Sequence, residues 1–597
     1  MLHRWINEYC APVVITVTSS EVEKISLKNG LLLHDLLSAF SHLDSISSGI
    51  RTNGGGSNIS LKEARIRFES SSEVFPKSSA NVEEACLNYF EQYDLESLPM
   101  TVDELNANPP SALSQILENV ILRSGSFQDF DMISHPIIIM TVVSSSEPNP
   151  LAKLQELAHS HQFIPGVSLG LYEPEISRIY VLLHDVADAS NANPDQIYSE
   201  MSSFYPFHAK ILRLNSLGAS NPNVQQPDWW SRCILPKFFI NQSSSGYEEA
   251  PPIINPDTGK PVIGGRLSME DFMQLRSFVV DLFERDIVPA VERRLTLLNR
   301  LVSDSKKGMK NVFKNFWRKP REDAPTSSPV RGSTAMTLNV RYKHDRPEMQ
   351  TLYLADLSFL LKDYETAASM YRLVKDDFKS DKSVLHHAQC TLNLAACLYF
   401  IDPVKNVREI HHQLENLTAI LSAPFEPVHM HAYFALLMAD LFALTRAPLD
   451  STQAIIFATS NITRTMPLLG ALLTEKTSQY FLMARQMRKL AFNQVLAAHK
   501  FFSMGGKALK QSTVCFAAAA ILFENSPWGE IKLKLFKALV SEIKHRGVDG
   551  AKRCLLLQFR ILDTISTDAV DAHGEVNTMS FLNYTRILEE RALLPTN

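Results

Sequence analysis

The sequence predicts two fold classes in series: an α/β N-terminal domain with a mostly parallel sheet, then an all-α, TPR-like (tetratricopeptide-type) α-solenoid. Three observations carry this reading. Short apolar runs alternate with helical segments over about the first 240 residues. A long helical pattern then ends in a cluster of cations and aromatics near residue 310. From Pro347 onward almost every stretch has helical spacing. The expected organisation is an α/β domain over 1–265, a long helix over 266–321, a linker over 322–340 and the solenoid over 341–597.

Three runs read as buried strands: Pro12–Thr18, Pro136–Val143 and Arg178–His184. Each is short, rich in Val, Ile or Tyr, and apolar on both faces, as in strands covered by helices on two sides. Helices are expected between them at Leu31–Phe40, Val82–Tyr93, Ser111–Leu122 and Pro150–His161. Arg51–Ser60 reads as a flexible loop. Leu217–Gly265, rich in Pro, Asn, Ser and Gly and holding Trp229 and Trp230, reads as a second loop.

Ser268-Met-Glu-Asp271 is a helix start signal of the capping-box kind. Phe272, Leu275, Val279, Leu282 and Phe283 then keep helical spacing, and Pro289 is expected to kink or restart the helix. Val291, Leu295, Leu298 and Val302 continue the stripe. Glu322–Thr337 reads as a linker. In the helical half, Leu354-Ala355, Asp363-Tyr364, Ala367-Ala368 and Tyr371 match a tetratricopeptide-type hairpin, in which small residues let two helices approach and aromatics fill the groove. Further helices are expected at Lys382–Phe400, Val404–Leu421, Val428–Thr445, Leu468–Met487, Arg488–Met504, Lys507–Phe523 and Glu530–His545, with no strict period.

Composition narrows the function. The chain has 597 residues, 45 % of them hydrophobic and 21 % charged, and a formal net charge of −5. That balance disfavours a protein coating nucleic acid along its length. Seven scattered cysteines without a CxxC pair suit a reducing compartment. The longest apolar run, Val514–Phe523, is too short to span a bilayer and reads as a buried helix. The apolar stretch Ala11–Val17 lacks the flanks of a signal peptide. A cytosolic protein with at most peripheral membrane contact is expected.

No catalytic pattern emerges. A parallel sheet of this kind could resemble a GTPase, but Ser19-Ser-Glu-Val-Glu-Lys24 after the first strand has no glycine loop, lysine or hydroxyl arranged to hold phosphate and magnesium. Gly54-Gly-Gly56 lacks the Lys-Ser/Thr that would make it a phosphate loop. The histidine pairs His159/His161, His386/His387, His411/His412 and His429/His431 have no evident further ligands, so they read as ordinary histidines and no metal or cofactor is expected. Cys390 and Cys397 read as core packing.

The basic segment is the candidate site. Between Ser305 and Arg321 there are seven Lys or Arg and no acid. Met309, Val312, Phe313, Phe316 and Trp317 repeat at i, i+3, i+4, i+7, i+8, which is one helical face. Lys310, Lys314 and Arg318 line the other side, with Lys306, Lys307 and Lys319 beside them. Aromatics opposite cations describe an interfacial helix on an anionic membrane. Packing on the protein's own solenoid, partner-peptide binding and nuclear import are the competing readings.

Long collinear blocks carry a family resemblance. They are Tyr9-Cys-Ala-Pro-Val-Val-Ile-Thr, His135-Pro-Ile-Ile-Ile-Met-Thr-Val-Val-Ser-Ser, Tyr180-Val-Leu-Leu-His-Asp-Val186, Arg346-Pro-Glu-Met-Gln350 and Leu354 to Ala367. Pro467 to Leu473 and Arg488 to Phe501 complete the set. On these the chain resembles the TRAPP complex subunit 8 family, which defines the TRAPP III tethering complex. The resemblance implies a degenerate GTPase-like N-terminal domain and a non-catalytic scaffold subunit of a Rab guanine-nucleotide exchange complex. In such complexes the small core subunits carry out exchange, and this subunit adds membrane targeting. The implied settings are ER-to-Golgi transport and autophagy, on Golgi, intermediate-compartment and pre-autophagosomal membranes. The implied partners are the small TRAPP core subunits, a Rab GTPase of the early secretory pathway through the complex, and an anionic membrane surface, with no nucleic acid. The family's amphipathic helix falls on Lys306–Lys319. Family members continue into β-rich domains beyond the solenoid, which suggests that this chain, ending at Asn597, is a short form or an incomplete gene model.

Overall fold

The computed structural model describes residues 2–44, 49–51, 58–60, 63–92, 111–160, 165–187, 193–217, 263–316, 341–505 and 508–523. Its five-stranded sheet comprises β1 (Val13–Thr18), β2 (Arg67–Ser70), β3 (Pro136–Ser144), β4 (Ser177–Asp185) and β5 (Ala209–Leu214). The strand order is β2-β1-β3-β4-β5, and every pairing is parallel. This is a doubly wound arrangement, with its switch point between β1 and β3.

The three strands expected from sequence are the central ones. In β3 every residue is buried. Val143, Tyr180 and Leu182 pack on one face under α5 (Pro150–Ser160) and α6 (Pro194–Phe204), through Leu154, Ala158 and Met201. Strand alternation sends Val142, Val181 and Leu183 to the opposite face. Earlier in the chain, β1 leads into α1 (Ser20–Leu27) and α2 (Leu33–Ser38), while α3 (Ser79–Gln92) and α4 (Ser111–Gly125) precede β3. The two edge strands escaped the sequence reading. The stretch read as a flexible loop is paired at its ends, where Gly49–Arg51 and Asn58–Ser60 form an antiparallel ribbon; residues 52–57 lie outside the described set.

After the sheet come α7 (Met269–Asp281), a π-helical turn (Leu282–Ile287) and α8 (Val288–Phe316). The helical array follows as α9 (Pro347–Leu360), α10 (Tyr364–Ser380), α11 (Val384–Ile401), α12 (Val407–Leu421), α13 (Met430–Leu444), α14 (Pro448–Ile462), α15 (Pro467–Met483), α16 (Met487–Met504) and α17 (Ala508–Phe523). Helix α14 was not anticipated. The expected helix at Glu530–His545, most of the loop Leu217–Gly265 and the whole linker 322–340 lie outside the described residues.

A repeated logic runs through the array. In α9 all residues from Leu352 to Phe359 are buried, and in α11 all from Ala388 to Leu398 are. Their successors α10 and α12 bury one stripe each: Ala367, Ala368, Tyr371, Val374 and Phe378 in the first, Ile410, Leu414, Leu417 and Leu421 in the second. Helix α11 is long and apolar enough to pass for a membrane span, but its burial among neighbours identifies a core helix. The inner helices α9, α11, α13 and α15 start at uneven intervals, which is why no strict period is legible.

The tetratricopeptide-like residues play the roles their types suggest. Ala355, Ala367 and Ala368 are buried to 1 % exposure or less. Asp363 caps α10 by accepting the Thr366 N–H at 3.2 Å. The Tyr371 hydroxyl donates to Asp356, and Asn393 Nδ2 donates to the same hydroxyl at 3.0 Å. Burial holds the Asp356 carboxyl well above the usual carboxylate range. Within α15, Gly470 permits close approach of α14: a Cβ there would sit 2.7 Å from Thr463 Oγ1 and 3.0 Å from its Cα.

Two compact units emerge from the packing. One comprises Met1–Val82 and Ile121–Phe434; the other comprises Glu83–Val120 and Ala435–Asn597. In the first, the helical array is tied to the α/β segment. Trp5 meets Phe359 at 5.6 Å between ring centroids, Phe130 meets Phe434 at 5.9 Å, and Arg341 pairs with Asp129 at 2.6 Å. In the second, Glu83 accepts the Leu468 N–H at 3.3 Å and Lys476 pairs with Glu118 at 2.8 Å.

Candidate interaction helix and the closed sheet edge

Doubly wound sheets bind ligands beyond the carboxyl ends of their strands, at the switch point. Here β1 passes to α1 through Ser19 alone, whose Oγ accepts the Val22 N–H at 3.4 Å. Glu23, buried in the first turns of α1, accepts from Thr18 Oγ1 at 2.6 Å and from the Leu33 N–H at 3.2 Å. Its carboxylate thus satisfies the first N–H of α2 and ties that helix start to the end of β1. Ser145 Oγ and His184 Nδ1 meet at 2.8 Å, and Lys28 Nζ donates to Asp185 at 2.6 Å. Asn29, fully buried, donates to Asn215 at 2.7 Å and accepts the Arg266 N–H at 3.1 Å. Nothing in the sequence beyond the missing glycine loop announced these closures, because their partners are far apart in the chain.

The candidate helix is launched from a rigid base. Ser268 Oγ accepts the Asp271 N–H at 3.2 Å, and Asp271 Oδ2 accepts the Ser268 N–H at 2.8 Å, completing a reciprocal capping box. The same carboxylate oxygen accepts the Ser216 N–H at 3.0 Å and hydroxyl at 2.9 Å, so it also fixes the chain leaving β5. Phe272, Leu275, Val279, Leu282 and Phe283 are buried, as the spacing predicts. Lys210 of edge strand β5 pairs with Asp281 and, at 2.9 Å, with Asp286. The π turn sits just before Val288-Pro289, so α-helical bonding restarts where proline has no N–H to offer.

The first half of α8 is anchored. Val291, Leu295, Leu298 and Val302 are buried at 4 % exposure or less. Arg294 forms an ion pair with Glu173 and lies 5.8 Å from the Tyr353 ring centre. Tyr353 stacks on His135 at 4.5 Å. His135 Nε2 accepts the Glu173 N–H at 3.1 Å, which leaves the proton on Nδ1 to be donated to the Pro136 carbonyl at 2.9 Å. Burial, reinforced by Arg294, pushes the His135 pKa down to about 3.

Beyond Val302 the backbone continues as helix to Phe316. Of the candidate residues, Lys306, Lys307, Met309, Lys310, Val312, Phe313, Lys314 and Phe316 lie on this helical backbone, their side chains outside the described set. Trp317, Arg318 and Lys319 lie wholly outside the described residues.

Of the paired histidines, His161 lies outside the described residues, and His386, His429 and His431 are engaged in local contacts. His386 is buried against Ser383 Oγ at 2.8 Å, and burial pushes its pKa down to about 3. His429 Nδ1 meets Ser79 Oγ at 3.2 Å, and His431 stacks on Phe425 at 3.7 Å. Among the described residues no group of three or more His, Cys, Asp or Glu is placed to hold a metal. Cys390 and Cys397 are fully buried, and burial pushes both thiols well up.

Comparison with known proteins places this architecture. A family profile described as "ER-Golgi trafficking TRAPP I complex 85 kDa subunit" matches residues 6–466, from the N-terminal segment through α14. The chain belongs to this TRAPP 85 kDa subunit family. It is 23 % identical over 599 aligned residues to "Trafficking protein particle complex subunit 8" of Homo sapiens, an alignment covering 88 % of this chain and 41 % of that protein. The Caenorhabditis elegans protein of the same name is 21 % identical over 74 % of this chain and 38 % of its own length. "Transport protein particle subunit trs85-1" of Schizosaccharomyces pombe is 23 % identical over 48 % of each chain. The chain therefore spans less than half the length of these TRAPP subunits. The matched span takes in the sheet, the capping box and the whole of α8.

Proposed function

We propose that this chain is a non-catalytic scaffold and membrane-targeting subunit of a TRAPP III-type tethering and Rab exchange complex, acting in ER-to-Golgi transport and autophagy. The family description names TRAPP I, so the TRAPP III assignment belongs to this proposal. Its partners are the small core subunits, which carry nucleotide exchange, and through them a Rab GTPase. It works from the cytoplasm as a peripheral protein of Golgi, intermediate-compartment and pre-autophagosomal membranes.

One observation carries the membrane reading. Helix α8 is held by a buried stripe as far as Val302 and continues as helix into a segment with seven cations and no acid from Ser305 to Arg321. Met309, Val312, Phe313, Phe316 and Trp317 would enter the interface, and Lys306, Lys307, Lys310, Lys314, Arg318 and Lys319 would meet anionic headgroups. Each cation near such a surface contributes about 1 kcal/mol, before the cost of ordering is deducted. A single helix of this size gives a reversible grip, which suits a subunit held in a larger assembly. The closed sheet edge, with Glu23 bonded to Thr18 and to the Leu33 N–H, supports the non-catalytic part.

A peptide covering Asp304–Arg321 should float with anionic vesicles at low salt, and Phe313→Asp with Phe316→Asp should abolish flotation. A wild-type peptide that stays unbound removes the basic helix as the membrane contact. Affinity purification of the full chain should recover the small core subunits, and their absence would contradict the assembly role.

A further inference from the structure

We infer that the hairpin end joining α15 to α16 is a second surface for anionic lipid, separate from the basic helix. Helix α15 ends at Met483 and α16 starts at Met487. Around this turn and along the outer side of α16, large apolar side chains face solvent: Met483 is 58 % exposed, Met487 51 %, Phe492 63 % and Phe502 50 %. The buried stripe of α16, comprising Leu490, Ala491, Ala497, Ala498 and Phe501, already satisfies its packing, so folding does not require apolar residues on the outer side.

Charge selects the occupant. Arg485, Arg488 and Lys489 are exposed at the same turn, interleaved with Met483, Met487 and Phe492. From Lys476 to Phe523 the sequence contains seven Lys or Arg and no Asp or Glu, in a chain whose acids outnumber its bases 64 to 59. A partner groove seeking apolar contact alone would not call for the cations set around Met483, Met487 and Phe492. An anionic bilayer needs both, as flexible methionines and a phenylalanine enter the acyl boundary and the cations meet headgroups. The acid-free run was the sequence signal for this surface.

The inference rests on the proposed peripheral membrane attachment and supplies a contact that the basic helix lacks.

The test uses the full chain and vesicles of phosphatidylcholine with about 30 % phosphatidylserine. Three variants are compared with wild type: Phe313→Asp/Phe316→Asp in the basic helix, Met487→Asp/Phe492→Asp in the hairpin, and the two combined. Exposure of Met487 and Phe492 predicts unchanged circular dichroism and melting for the hairpin variant. It should lower the vesicle partition coefficient about tenfold, as should Arg485→Glu/Arg488→Glu. The basic-helix variant should keep residual binding that the combined variant loses. Unchanged partitioning of both hairpin variants overturns this inference and leaves the basic helix standing. Wild-type binding lost only with the hairpin changes upholds it while refuting the basic helix. A wild-type chain that does not bind overturns both, and loss of a co-purifying protein with partitioning intact assigns the surface to a protein partner instead.

Discussion

At the scale of single residues, two buried titratable groups set opposing pH dependences in the two units. His135 accepts a backbone N–H on Nε2, so protonation would set two donors against each other. Between its ordinary value of 6.5 and about 3, the unfolded chain binds a proton that the folded chain refuses, so this group lowers stability as pH falls through that window. Glu475 in α15 behaves conversely. Gln511 donates to its Oε1 at 2.7 Å, its Oε2 has no hydrogen-bond partner among the described residues, and burial raises its pKa to about 8. Between the ordinary 4.5 and about 8 the unfolded chain has released a proton that the folded chain keeps, so stability falls as pH rises and levels off above that range. Glu475→Gln keeps the acceptor for Gln511 and removes the ionisation. It should raise stability at pH 8 by about 1–2 kcal/mol and do little at pH 5. Urea unfolding at the two pH values measures the difference, and an equal gain at both would contradict the assignment.

At the scale of elements, the start of α7 matters more than its length because its cap is shared. Ser268→Ala removes one hydroxyl acceptor at an N-cap and should cost about 1 kcal/mol. Asp271→Ala deprives the Ser268 N–H, the Ser216 N–H and the Ser216 hydroxyl of a common acceptor at a residue only 1 % exposed, and should cost about 2–4 kcal/mol. Hydrogen exchange should then quicken at both α7 and the end of β5; quickening confined to α7 would mean that the cap acts locally. The same element explains what the sequence disclosed. The capping box and the stripe from Phe272 to Val302 were legible because local spacing encodes them, whereas the link to Ser216 was not. The central strands were legible because burial on both faces makes them uniformly apolar. The edge strands were hidden by charge: Arg67 and Glu69 pair at 2.7 Å inside β2, and Lys210 and Arg213 of β5 pair with Asp286 and Asp195 at 2.9 Å and 2.6 Å. Helix α14 was masked by its hydroxyls, which bond back along the helix, as Thr459 Oγ1 does to the Ile455 carbonyl at 2.7 Å. For the candidate site, the helical backbone as far as Phe316 was legible from the continued spacing. The exposed apolar residues of α16 were not, because spacing alone cannot tell an outer face from a second packed one.

At the scale of the whole molecule, composition suggests a cut near residue 340, but packing distributes the chain differently. The unit holding the sheet also holds α9 to α12, with Tyr353 stacked on His135 and Tyr342 set against Phe378 and His386 at 5.3 and 5.0 Å. The other unit takes Glu83–Val120 from early in the chain, where Glu83 and Glu118 meet Leu468 and Lys476. A fragment 341–597 would therefore lack partners in both units. Helices α9 and α11 would expose apolar faces of the kind that drives aggregation, and α15 would lose the carboxylates opposite it. Removing Glu118 also takes the 2.8 Å ion pair from Lys476, a cation 11 % exposed, which destabilises α15. The fragment should be insoluble or melt without cooperativity when made alone, and should recover on co-expression with 1–340, co-eluting with it in size-exclusion chromatography. If 341–597 alone is soluble, fully helical and cooperative in melting, the helical array is an autonomous domain and the contacts to the N-terminal half are dispensable for its folding.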